Sequence, residues 1–148
     1  MKISTKGRYG LRAMLDIAVN SPADYIPLKL IAERQNISEN YLEQVFSILR
    51  KTDLVKSIRG SQGGYTLSRE ASKITVGEVL RALEGELTIT GDDADNSAND
   101  TTIEICINSS VWESINRSIN TVVDSITLEQ LVEDYKKLNK NYQYDYSI

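Results

Sequence analysis

Histidine is missing from this sequence altogether. That absence removes the commonest general base and metal ligand, and with it every Ser/His or Cys/His catalytic pair and every Cys/His metal cluster. A single cysteine, Cys106, stands among the 148 residues, so no disulfide can form within the chain. No apolar run approaches the roughly 20 residues that span a bilayer. The start, Met1-Lys2-Ile3-Ser4-Thr5-Lys6-Gly7-Arg8, is basic but lacks the apolar core of a secretory signal, so a cytoplasmic location is the expectation. Neither an enzyme nor a membrane protein is expected, and no cofactor or metal is assigned.

What is present reads as an ordinary globular chain, with 41% hydrophobic and 26% charged residues. A net charge of −4 argues at first against a polyanionic partner. The average conceals an asymmetry. Residues 1–70 carry 11 Lys/Arg against 7 Asp/Glu, whereas residues 71–148 carry 6 against 14. A basic half beside an acidic half is expected if only the first half meets phosphate.

Periodicity places a first helix from about Thr5 to Asn20, with Leu11, Met14, Leu15 and Ala18 on one face. Ser21-Pro22 ends it. A short second helix follows Pro27 and stops near Gln35. After the tight connection Asn36-Ile37-Ser38, a third helix runs to about Thr52. Ser38 is its N-cap, Ile37 and Leu42 form a hydrophobic staple, and Leu42, Val45, Phe46 and Leu49 face inward. Two helices joined by so short a turn are a helix-turn-helix. Leu54–Ile58 and Gly64–Leu67 then read as two strands around a glycine-rich basic loop, a wing. Thr75-Val76-Gly77-Glu78 is a capping box that opens a fourth helix to about Glu84.

The outward face of the third helix carries Asn40, Glu43, Gln44, Ser47 and Lys51, donors and acceptors suited to base edges in a major groove. Arg50 and Lys51 at its end suit phosphates. Periodicity alone would equally describe a solvated helix face; the wing directly downstream decides for DNA. Arg59, beside glycines, can approach a narrow minor groove. The same loop is no P-loop, since Tyr65 stands where the lysine is required.

Residues 91–100 read as an acidic, aperiodic loop. It has the outline of a calcium loop running to Glu104, but Ala98 occupies the position that needs glycine, and a solvated loop is the reading kept. A long helix follows, from about Ile103 to Ser125. Val111, Ile115, Ile119, Val122 and Ile126 recur along it, a stripe too long for one small domain to bury, so a second subunit is expected to cover it. Cys106, near its start, is either a buried structural thiol or a redox-responsive one. Thr127-Leu128-Glu129-Gln130 caps a last helix to about Leu138, and a polar, tyrosine-rich tail closes the sequence.

The expected architecture is therefore α+β and mostly helical. Residues 1–85 form a winged helix-turn-helix domain, 86–102 an acidic loop, 103–138 a dimerisation helix with a final helix, and 139–148 a C-terminal tail. A protein-interaction module without DNA binding is the rival from another class, which Arg59, Gln44 and the basic first half oppose.

Several motifs in one order now carry a resemblance. Lys6-Gly7-Arg8-Tyr9, Ile37-Ser38-Glu39-Asn40-Tyr41-Leu42-Glu43-Gln44, Leu54 to Gly60, Gly63-Gly64-Tyr65-Thr66-Leu67, Thr75 to Val79 and Thr127 to Leu131 resemble the Rrf2 family of bacterial regulators. The resemblance implies a homodimer on a palindromic operator, with DNA contact from Ser38, Asn40, Tyr41, Glu43, Gln44 and Arg59. Many members of that family hold an iron–sulfur cluster through three cysteines. Only Cys106 matches one of them, and Ser109 stands where a histidine ligand of Isc-type members falls. The missing ligands and the first eleven residues are similar to the Cym-type branch, which implies repression of cysteine and sulfur metabolism with cysteine synthase (O-acetylserine sulfhydrylase) as corepressor. The ending Tyr144-Asp145-Tyr146-Ser147-Ile148 resembles the C-terminal peptide of serine acetyltransferase. That likeness implies Tyr144, Asp145, Tyr146 and Ile148 as the contact to cysteine synthase; an unpartnered frayed end is the alternative.

Overall fold

The computed structural model describes residues 1–20, 24–59, 63–91 and 99–146, the last five by backbone alone. Three helices build the first layer, α1 (Thr5–Asn20), α2 (Leu28–Gln35) and α3 (Glu39–Lys51). Ala13, Met14 and Ile17 of α1, Ile31 of α2, and Leu42, Val45, Phe46 and Leu49 of α3 are closed off from solvent together. Both sharp turns around α3 rest on residues that tolerate the left-handed region. Asn36, at φ 54°, ends α2 while Ile37 N–H reaches back to the Ala32 carbonyl at 3.0 Å. Asp53, at φ 59°, does the same after α3, with Leu54 N–H bonded to the Leu49 carbonyl at 2.9 Å.

The wing strands β1 (Val55–Ile58) and β2 (Gly64–Leu67) pair antiparallel, from Val55 opposite Leu67 to Ile58 opposite Gly64. A third segment joins them unannounced by the sequence pattern. Ile26 exchanges both backbone bonds with Tyr65, at 2.8 and 2.9 Å. The approach is so close that a β-carbon on Gly64 would run into the Ile26 carbonyl, which explains the glycine there.

After a single 3-10 turn (Ala71–Lys73) comes α4 (Val76–Glu84), opened by the expected capping box: Thr75 Oγ1 accepts from Glu78 N–H, and Glu78 Oε2 accepts from Thr75 N–H, each at 3.1 Å. The same Glu78 oxygen receives Arg69 Nη2 at 2.6 Å. The loop beyond is anchored at its start by buried Leu87; residues 92–98, with the first half of the calcium-loop outline, lie outside the described residues.

The long helix is present and begins on a second capping box, Thr101 with Glu104, which the sequence reading overlooked. It consists of α5 (Thr102–Ile107), one wide π turn (Asn108–Trp112) and α6 (Glu113–Ser125), with helical backbone through both junctions. Ile103, Ile107, Val111 and Ile115 lie four apart, a spacing that drifts about 40° per step on a helix of 3.6 residues per turn. One wider turn takes back part of that drift.

The last helix, α7 (Leu128–Tyr146), differs from expectation in two ways. It continues to Tyr146 rather than ending near Leu138, because Asn139–Tyr146 contains neither glycine nor proline to stop it. It also packs on the winged domain: Leu128 is fully buried in the core of α1–α3, with Leu131 and Val132 against it. The Thr75 and Thr127 caps sit side by side as an antiparallel bridge, sealed by Val76 N–H to Ile126 O at 2.8 Å and Leu128 N–H to Ile74 O at 2.9 Å.

Candidate nucleic-acid interface

Burial divides α3 as its periodicity requires. Leu42, Val45, Phe46 and Leu49 are sealed, which leaves Asn40, Glu43, Gln44, Arg50 and Lys51 exposed on the opposite side, together with the cap Ser38. Ser38 Oγ accepts from Tyr41 N–H at 3.4 Å and so starts the helix. Tyr41 itself is half-buried. Its ring meets Tyr9 of α1 edge-on, centroids 5.8 Å apart, and Arg12 lies 5.1 Å over the Tyr9 ring. Arg12 also donates to the Gln35 carbonyl at the end of α2. The aromatic stack thus ties the start of α3 to both helices before it.

The wing is held to the same helix. Tyr65 of β2 packs on Phe46, ring centroids 4.6 Å apart, and Arg50 Nη1 donates to Ser57 Oγ of β1 at 3.5 Å. Arg59 follows β1 directly and is exposed, as is Lys56 within the strand. Residues 60–62, at the wing tip, lie outside the described residues. Exposed Lys29 at the start of α2 adds a cation beside the wing base, since Ile26 three residues earlier is bonded to β2. A polar helix face, flanked by a basic strand end, can lie in a major groove while the wing reaches the adjacent minor groove.

Sequence reasoning missed the support behind this surface. Asp16 of α1 is buried and accepts from Arg34 and Gln35 of α2, which locks the two helices together. Its signal was visible in part, as an acid placed among the apolar residues Leu15 and Ile17. Glu84 was equally unforeseen. Its Oε1 accepts from Ser4 N–H at 3.1 Å, from the Ser4 hydroxyl and from Gly7 N–H at 3.0 Å, so the end of α4 caps the start of α1.

The expected dimer stripe separates into two faces. Val111, Ile115 and Val122 are exposed, and Ile103, Ile107 and Trp112 join them. Ile119 instead packs, half-buried, against Val76, Leu80 and Leu87 of its own chain, as do Val123 and Ile126. Cys106 is exposed, not a buried structural thiol. Of the tail residues, Tyr144, Asp145 and Tyr146 lie on the last turns of α7, and Ile148 lies outside the described residues. Among the described residues, no helix is long and apolar enough to cross a membrane.

A helix-turn-helix with a wing packed behind it defines the class, a winged-helix DNA-binding transcription regulator. The comparisons with known proteins name the family. The model of the Rrf2 family, described as "iron-dependent transcriptional regulator", matches residues 3–134, and the chain belongs to that family. It is 40% identical over 139 residues to the HTH-type transcriptional regulator IscR of Escherichia coli, covering 94% of this chain and 85% of that one. Among solved structures it is similar to CymR of B. subtilis, described as the global cysteine regulator, with 41% identity and a TM-score of 0.75 over 90% of this chain and 97% of that one. IscR of T. potens gives 45% and 0.74, over 93% and 90%.

The iron in the family's description finds a poor donor set here. Cys106 is the chain's one thiol and histidine is absent. Among the described residues no group of three His, Cys, Asp or Glu side chains is placed to hold a metal ion. The residues present do not fit an iron–sulfur cluster.

Proposed function

We propose that this chain is a repressor of cysteine and sulfur-metabolism genes, acting as a homodimer on a palindromic operator with cysteine synthase as corepressor. The observation that carries the DNA-reading part is the exposed row Asn40, Glu43, Gln44 beside Arg59, backed by a sealed apolar face. Dimerisation is supported by the uncovered apolar residues of the long helix, Val111, Ile115 and Val122 foremost, which a lone chain leaves in water. A twofold copy would cover them and present two recognition helices to two half-sites. The sulfur-metabolism reading is supported by the likeness to CymR of B. subtilis and by the missing cluster ligands.

The corepressor contact is assigned to Tyr144, Asp145, Tyr146 and Ile148. A site that holds an amino-acid substrate recognises a carboxylate, which a C-terminal isoleucine can imitate. With α7 helical to Tyr146, three of these four residues stand on its last turns. Calorimetry with cysteine synthase tests it: deletion of Ile148 should abolish binding while the dimer persists, and O-acetylserine should compete. Equal affinity of the two proteins would sink the corepressor assignment and leave the DNA-binding one standing.

A second reading is favoured by one observation, the exposure of Cys106. In it the signal is oxidation of that thiol. Operator binding by Cys106→Ser before and after peroxide distinguishes the two: a response in wild type that the variant lacks selects the thiol.

A further inference from the structure

The long helix leaves the winged domain through a braced joint. Arg81 of α4 donates to both oxygens of Asp124 on α6, Nη1 to Oδ1 at 2.7 Å and Nη2 to Oδ2 at 2.8 Å, and Nη2 also reaches Asn120 Oδ1 at 2.6 Å. Asn120 in turn donates to the Leu87 carbonyl at 3.1 Å, and Asn116 Oδ1 accepts from Ile89 N–H at 2.8 Å. Gly77 leaves room for this pair; a β-carbon there would strike the Asp124 carboxylate and the Arg81 guanidinium. Under these contacts Ile119, Val123 and Ile126 pack on Val76, Leu80 and Leu87. The brace therefore holds α6 from Asn116 to its C-cap, Ile126, by amide, ionic and apolar contacts at once.

Stability is not what the ion pair chiefly adds. Its side chains are 34% and 47% exposed, and pairs in water contribute little. The hydrogen bond from Arg81 holds the Asp124 carboxyl below its ordinary value, so the pair stays charged in more acidic solution than a free carboxylate would. What a two-pronged guanidinium–carboxylate contact supplies is direction, since both groups are planar and must lie in register.

We propose that Arg81 and Asp124 are positioning residues that set the angle between the recognition helix and the dimer axis, and thereby the half-site spacing the dimer accepts. The proposal rests on the dimeric reading above. When two chains join through the long helix, the separation of their α3 helices follows from how α6 sits on the winged domain. One base pair added between half-sites moves the second by about 3.4 Å and turns it by about 35°. A braced joint cannot follow that displacement; a loosened one can.

The test uses the full chain and an operator selected from random duplexes, with versions one base pair longer or shorter between half-sites, and a single half-site. Wild type should lose about tenfold or more on either altered spacing. Arg81→Met and Asp124→Asn should lose less than about threefold there, bind the single half-site within about twofold of wild type, and sediment as dimers. Arg81→Lys, which keeps the charge but not the fork, should behave as Arg81→Met. Variants that keep wild-type spacing discrimination overturn the proposal. So does loss of half-site binding or of the dimer, which would make the pair a prop of the domain or the interface. A wild type that is monomeric on the operator would remove the dimeric reading itself.

Discussion

Asp16 and Arg34 bind α1 to α2 through a two-pronged ion pair, Nη2 to Oδ1 at 2.6 Å and Nε to Oδ2 at 3.0 Å, with Gln35 Nε2 adding a third donor at 2.9 Å. The carboxylate is 1% exposed and the guanidinium 37%. Asp16 raises the Arg34 pKa above its ordinary value through that hydrogen bond. The lock sits directly behind the turn at Asn36, and so fixes how α2 presents α3.

The unequal burial of the pair predicts unequal costs. Arg34→Ala strands a buried carboxylate and should destabilise by about 3–5 kcal/mol. Asp16→Asn leaves a neutral amide and an arginine that reaches water, at a cost of about 1–2 kcal/mol. Urea melts of both variants check the order; equal costs, or the reverse, would show that the carboxylate is not the buried partner.

On the reading surface, Gln44→Ala and Arg59→Ala should each weaken operator binding while the dimer stays folded. A base-contacting pair is worth about 1–3 kcal/mol, or roughly 5- to 150-fold in affinity. Wild-type affinity should also drop steeply with added salt as phosphate contacts release counterions. Two alanine variants that bind as tightly as wild type would place the reading surface elsewhere.

The two faces of the long helix predict opposite failures. Ile115→Asp or Val122→Asp puts a charge where the second copy is proposed to pack, so sedimentation should show monomers or aggregates with loss of operator binding. Ile119→Asp drives a charge against Val76, Leu80 and Leu87 within the chain and should lower its own stability by about 2–4 kcal/mol. A stable, fully dimeric Val122→Asp protein would refute the interface.

Replacing a helical glycine by alanine ordinarily stabilises by about 0.5–1 kcal/mol. At Gly7 the sign should reverse. A β-carbon there falls on the Glu84 carboxylate, which would be pushed off the start of α1 and lose its three bonds. Loss of such a cap costs about 1–2 kcal/mol, so a Gly7→Ala protein that melts later than wild type would contradict the role assigned to Glu84.

Protein purified without oxygen should be colourless, with no stoichiometric iron or sulfide. The lone Cys106 and the absent histidine leave a cluster without ligands. Visible charge-transfer bands with about two irons per chain would overturn that reading.

Much of this protein was legible by itself in the order of residues. Ser38, Thr75 and Thr127 each cap a helix with partners no more than three residues away, and the buried row of α3 follows from its 3.6-residue period. Such signals act over a turn or so of chain, so they need no tertiary context. The outward face of α3 and the neighbouring Arg59 were found for that reason. Only the folded chain decided the rest. Asp16 meets Arg34 across 18 residues, Glu84 meets Gly7 across 77, and Arg81 meets Asp124 across 43. No period or cap encodes these pairings. Nor could an apolar stripe tell which of its members, Ile119 or Val122, would turn toward its own domain. Hydrophobicity records that a side chain avoids water, and the packing of distant segments determines what covers it.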